Sequence, residues 1–173
     1  SGTTERVSLD STGAQTNERN SYPSVSDDGR FVAFESLATN LVAGDTNGYW
    51  DVYMHDRATG MTVLCNVTAG GVAGNGQSQT GKLSSDGRFV SFRGGATNLF
   101  PGQYVPGWIF VRDLWFDSME AIGRSTDGQY PIGGSADMPT ISPDGRYVAF
   151  RSSATNMVPG DTNGNTDVFV RDR

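Results

Sequence analysis

One block of nine residues occurs three times in this chain and constrains the fold more than any other feature. Ser26-Asp27-Asp28-Gly29-Arg30-Phe31-Val32-Ala33-Phe34 returns as Ser84-Ser85-Asp86-Gly87-Arg88-Phe89-Val90-Ser91-Phe92 and again as Ser142-Pro143-Asp144-Gly145-Arg146-Tyr147-Val148-Ala149-Phe150. Gly29, Gly87 and Gly145 are spaced 58 residues apart both times. Each block is followed by Ala-Thr-Asn (Ala38-Thr39-Asn40, Ala96-Thr97-Asn98, Ala154-Thr155-Asn156). A third block then closes the unit: Asp51 to Asp56, Trp108 to Asp113 and Asp167 to Asp172. A period of this length identifies a repeat array, divided here into units of about 1–58, 59–115 and 116–173.

Each unit reads as four short strands. The first (Tyr22 to Ser26) ends in an Asp-Gly turn, a hairpin signal. The second, from Phe31, is apolar on both faces and should be covered on both sides. The third spans Asp51 to Asp56 and the fourth Met61 to Val67, with counterparts at Thr4 to Leu9 and Met119 to Arg124. No window keeps a helical apolar period. The 23 glycines and the low charged fraction of 18% suit short strands and tight turns. Antiparallel four-stranded units favour a propeller over a solenoid. The turns after strands one and three are short; those after strands two and four are long and emerge together on one face. Loops on a rigid scaffold commonly carry binding, which makes that face the candidate site.

These motifs resemble the TolB-type, WD-repeat-like propeller family, whose blades carry S-x-D-G-[RK]-x-[IVL]-[AV]-F hairpins. The Ala-Thr-Asn, Gly-Asp-Thr-Asn-Gly and Asp-Val-Phe-Val-Arg-Asp blocks are similar to a long-loop branch of it, and the resemblance covers essentially the whole chain. It implies a toroid of blades, a role in protein binding or as an accessory domain beside a catalytic one, and export from a bacterial cell to an extracytoplasmic compartment.

Three blades are too few to close a ring, because propellers have about four to eight. An open arc leaves a strand edge and apolar blade faces exposed. The expectation is therefore an all-β chain of three four-stranded blades, half of a six-bladed β-propeller closed by strand exchange in a homodimer. In that arrangement the N-terminal strand, residues 4–9, pairs with the C-terminal strand, residues 167–172, of the other chain. The rival reading is a piece of a longer propeller.

Asp45-Thr46-Asn47-Gly48-Tyr49-Trp50-Asp51 and Asp161-Thr162-Asn163-Gly164-Asn165-Thr166-Asp167 share D-x-N-G-x-x-D. Asp45, Asn47, Asp51, Asp161, Asn163 and Asp167 offer oxygens of the kind calcium takes. The same residues equally suit an Asx turn with glycine at positive φ. The second unit lacks these carboxylates. Aromatics that differ between units (Tyr49, Trp50, Phe100, Tyr104 and Trp108) lie in or beside the long loops and are candidate contacts for a protein or carbohydrate ligand, or else pack the loops down.

No catalytic residue emerges. His55, the sole histidine, aligns with Arg112 and Arg171, which predicts an outward strand position, with no partner marked for it. One cysteine and one histidine do not suggest zinc. A net charge of −6 with a single lysine, Lys82, argues against nucleic acid, and no apolar run is long enough for a membrane-spanning helix. The reading is a non-enzymatic binding or scaffold module; the alternative is the propeller domain of a hydrolase or of a larger enzyme.

Overall fold

The computed structural model describes residues 2–100 and 107–173. Among them the chain forms strands and turns without a helix. The first sheet orders β1 (Asn20–Val25), β2 (Phe31–Ser36), β3 (Asp51–Asp56) and β4 (Met61–Leu64) side by side. The second repeats this with β5 (Ser78–Leu83), β6 (Phe89–Gly94), β7 (Trp108–Asp113) and β8 (Ser118–Ala121). The third has β9 (Ala136–Ile141), β10 (Tyr147–Ser152) and β11 (Asp167–Asp172), three strands rather than the expected four. All pairings are antiparallel. The spatial blades thus straddle the sequence units, because the fourth strand of each unit precedes the inner strand of the next blade.

The recurring hairpin explains its own sequence. In blade one the Ser26 hydroxyl donates to Asp28 Oδ1 at 2.6 Å and accepts the Phe31 N–H at 2.9 Å. Asp28 Oδ1 also accepts the Arg30 N–H, and Gly29 takes φ +72°. Arg30 then reaches β3 and binds Asp56 through two bonds of 2.8 and 2.7 Å, while its guanidinium covers the Phe31 ring. Arg88–Asp113 and Arg146–Asp172 repeat the fork. Such bidentate contacts fix geometry as well as adding stability.

The sheets stack face to face. Val52 and Met54 of β3 share a core with Leu83, Val90 and Phe92 of the second blade. Ile109 and Val111 of β7 pack likewise with Ile141, Val148 and Phe150 of the third. Each fully buried side chain of this kind contributes roughly 1.5–3 kcal/mol. The inner strands each contain a bulge, at Tyr22 (φ 47°), Thr80 (φ 58°) and Met138 (φ 51°), where the ladder register shifts.

His55 departs from the outward position expected of it. It is buried, with Nδ1 2.8 Å from Thr62 Oγ1, which in turn donates to the Leu9 carbonyl. The N-terminal segment and β4 cover it.

Candidate functional site

The segment before β1 meets the loop after β2, the loop after β4 meets the loop after β6, and a recurring side-chain clasp holds each pair together on one face. The Asn17 N–H donates to Asn40 Oδ1, the Asn17 amide donates to Thr39 Oγ1, and Asn17 Oδ1 accepts the Thr39 N–H, all within 3.1 Å. Asn40 closes the clasp by donating to the Gln15 carbonyl at 2.8 Å. Asn75 makes the same four-bond arrangement with Thr97, Asn98 and the Ala73 carbonyl. At the third blade Ile132 replaces the asparagine, and only its backbone takes part. This is what the Ala-Thr-Asn blocks do. The recurrence of Asn17 and Asn75 at the same spacing was the signal that marks their partner.

Beside the clasp lies a groove. In blade one it encloses about 390 Å³ between Asp10, Ser11 and Thr12 on one wall and Thr39, Asn40, Leu41 and Val42 on the other. Blade three has its counterpart, about 410 Å³, between Thr126 and Asp127 and the stretch Thr155, Asn156, Val158 and Pro159. Both are the size of small-ligand sites, with hydroxyl and amide groups and one carboxylate each, Asp10 or Asp127, above an aliphatic floor.

Tyr49 stands exposed on this face, at the end of an Asx turn in which its N–H donates to Asn47 Oδ1 at 2.6 Å. Trp50 is half-buried next to it. Phe100 is partly buried against Trp108, and Trp108 itself is buried, with Tyr130 5.0 Å away ring to ring and Arg124 over the Tyr130 ring. Tyr104 lies outside the described residues. Tyr49 and Trp50 are thus reachable from solvent, while Phe100 and Trp108 pack into the core.

Beneath Tyr49, Asp45 and Asp51 form a buried polar knot. Asp51 accepts from the Asn47 amide at 2.8 Å and from the Asn66 amide, and Asp45 accepts the Tyr53 hydroxyl. Asn66 Oδ1 accepts the Val52 N–H at 2.9 Å, and the Asn47 amide also reaches the Gly74 carbonyl. Burial, with the neighbouring Asp45 charge behind it, pushes the Asp51 carboxyl up to about 7. The donor set does not fit calcium. The two amide groups turn N–H toward the carboxylates, where a cation needs oxygens. Among the described residues no cluster of three or more acidic, histidine or cysteine side chains is gathered for a metal. In blade three Asn163 donates to Asp167 at 3.3 Å, the Asn165 N–H donates to Asn163 Oδ1, and Phe169 stands where Tyr53 does. Both loops contain an Asx turn, at Asn47 and at Asn163.

A further buried acid was not singled out by sequence. Glu35, at the end of β2, is fully buried and accepts the N–H of the bulge residue Thr80, and desolvation raises its pKa. Its counterparts Arg93 and Arg151 are basic, and Arg151 binds Asp137 at 3.0 Å.

The fold is that of a β-propeller, with blades like those of TolB. The TolB crystal structure from Acinetobacter baumannii is similar over 92% of this chain and 30% of its own, with a TM-score of 0.51 and 18% identity. The assigned TolB from Agrobacterium tumefaciens is similar over 90% of this chain and 46% of its own, with a TM-score of 0.55 and 20% identity. The chain therefore spans less than half the length of these two structures. No protein-family profile matches it, and no curated protein does. Among the described residues no helix is long and apolar enough to cross a membrane.

Proposed function

We propose that the chain is a non-enzymatic propeller binding module whose loop face takes a protein or glycan ligand. The observation that carries this reading is the recurrence of one groove at equivalent positions of blades one and three. The two grooves share a rim of Thr39 and Asn40 in one and Thr155 and Asn156 in the other. Clasped walls keep each groove formed before a ligand arrives, which lowers the ordering cost of binding. Exposed Tyr49 supplies a rigid aromatic platform on the same face. Each rim carries one carboxylate, Asp10 or Asp127, among hydroxyl and amide groups above an apolar floor, which favours a glycan rich in hydroxyl donors over an anionic partner. An extracytoplasmic location accords with the export that the family resemblance implies.

The buried acids support this reading more than catalysis. Asp51 and Glu35 are fully buried and engaged by protein donors, so neither meets a substrate in this arrangement.

Binding to an array of immobilised neutral oligosaccharides, with an immobilised peptide library beside it, tests the proposal. Tyr49→Ala and Val158→Asp are expected to weaken the response by tenfold or more, about 1.4 kcal/mol, and Phe116→Ala on the opposite face to leave it unchanged. Retention in both loop-face variants, with loss in the Phe116 variant, would overturn it.

A further inference from the structure

The two end faces of the stack are the two halves of one interface. Val168 and Val170 of β11 are 80% and 67% exposed, whereas their counterparts Val52, Met54, Ile109 and Val111 are at most 8% exposed, each covered by the next blade. At the other end Val25 of β1 is 59% exposed, while its counterparts Leu83 and Ile141, which cover the preceding blade, are 8% and 9%. The hairpin turns show the same split. At Gly87 an added Cβ would overlap the Phe31 ring of the preceding blade, and at Gly145 it would overlap Phe89. Tyr147 is the third ring of this series, 40% exposed, and Gly29 the third turn, with no ring against it.

The N-terminal segment already occupies the place of an outer strand. Glu120 of β8 binds Arg173 of the following blade at 2.9 Å, and Glu5 is ion-paired with Arg57 at the equivalent positions. Val63 and Leu114 replace that pair with apolar packing at the junction of blades one and two. The Leu9–Gln15 bridge matches Val67–Ala73, and the Asn17 clasp matches that of Asn75. The segment is therefore seated on blade one as β4 and β8 are seated on blades two and three. Among the described residues it has no third strand to pair with. β11 has no fourth.

We propose that a second copy of this chain supplies both missing partners, so that two chains close one ring of six blades through two identical junctions. Each β11 would pair antiparallel with the other copy's N-terminal segment. The register follows from Met54 facing Val63 in blade one, which places Val170 opposite Glu5 of the second copy. Val25 and the Gly29 turn would then cover Val168, Val170 and Tyr147. A second copy is favoured over an unrelated partner because it brings the face that blades two and three already use against these positions. It is also favoured by count, since six is the only multiple of three within the range of about four to eight blades. One bond is forgone. The Asp27 N–H donates to the Ser85 carbonyl and the Ser85 N–H to the Pro143 carbonyl, but Pro143 has no N–H to continue the series. The new junction rests on apolar contact and the strand ladder.

Light scattering on the size-fractionated chain tests this independently of any ligand. The expected mass is twice 18.5 kDa, falling to the single-chain value in Val168→Glu with strand content kept, because that side chain is exposed in one copy. The double variant Glu5→Cys with Val170→Cys is expected to form an interchain disulfide, recovered as a covalent dimer on a non-reducing gel, and neither single variant is. A folded wild-type chain at 18.5 kDa, as a fragment of a longer propeller could give, or a dimer that Val168→Glu leaves intact and the cysteine pair fails to cross-link, would overturn the proposal.

Discussion

Trp108 faces Gly94 across β6 and β7 at the position where blade one pairs Asp51 with Ser36 and blade three pairs Asp167 with Ser152. The exchange is concerted. Gly123 also replaces the Asn66 that holds Asp51 in blade one, so three positions change from a polar knot to an indole with room around it. An added Cβ at Gly94 would lie 2.8 Å from the Phe110 ring. Gly94→Ser is therefore expected to destabilise the chain by about 1–3 kcal/mol through overpacking, read from the midpoint of urea unfolding. An unchanged midpoint would show that blade two tolerates the polar pairing at this site.

Asp51 gives the stability a distinctive pH dependence. Its carboxyl is raised to about 7 in the folded chain, well above its ordinary value of 3.8, so the native state binds the extra proton between those limits. Stability contributed by this group is full below about 4 and is lost as pH rises through 7. Asp51→Asn should flatten the decline in Tm between pH 5 and pH 8, measured calorimetrically against the wild type. His55, whose pKa burial lowers, acts in the opposite sense below its ordinary value and is common to both proteins. Parallel curves would mean that Asp51 is ionised within the knot.

The clasp should matter where its side chain is present. Asn75→Ala removes the contacts with Thr97 and is expected to cost about 1 kcal/mol, or roughly 2–4 °C in Tm. Ile132→Ala, at the equivalent place, leaves the backbone bonds intact and should change Tm much less. Equal losses in thermal melts would show that the backbone alone holds these loops.

The three Arg–Asp forks differ in shielding. Arg88 and Asp113 are 26% and 9% exposed in their side chains, Arg146 and Asp172 58% and 51%. In the Val168→Glu background, which keeps the chain single, Asp113→Asn should therefore lower Tm clearly more than Asp172→Asn, since solvent weakens exposed pairs. The reverse order would show that exposure does not set the worth of these forks.

Calcium is expected to leave the chelator-treated chain unchanged in calorimetry. A site near saturation at a hundred times its Kd would add about 2.7 kcal/mol and raise Tm by several degrees. A rise of that size would show that the Asn47 and Asn66 amides swing away from Asp51.

Much of the architecture was legible because the hairpin carries its own instructions. Ser26, Asp28, Gly29 and Arg30 each act within a few residues or through one strand crossing, and β3 falls on the expected Asp51–Asp56. The bulges were not legible. Positive φ at Tyr22, Thr80 and Met138 has no residue signature, since none of these is glycine or asparagine, and at Thr80 the support is the distant Glu35 carboxylate. The loop acids could be located in the sequence but not interpreted from it. Tyr53 and Asn66, which decide what Asp45 and Asp51 do, come from β3 and the stretch beyond β4, and only the folded sheet brings them together. The burial of His55 escaped for a similar reason: its cover is contributed by a segment some fifty positions earlier in the chain.

The alternation of Glu–Arg with Val–Leu at the blade seams makes the stack unequal along its length. Concentrated salt screens charged pairs and leaves oily ones untouched or tightened. In brine the seams at Arg57 and Arg173 would each lose only the small increment of an exposed pair, while the oily layer behind blade three holds as firmly as the one between the first two blades.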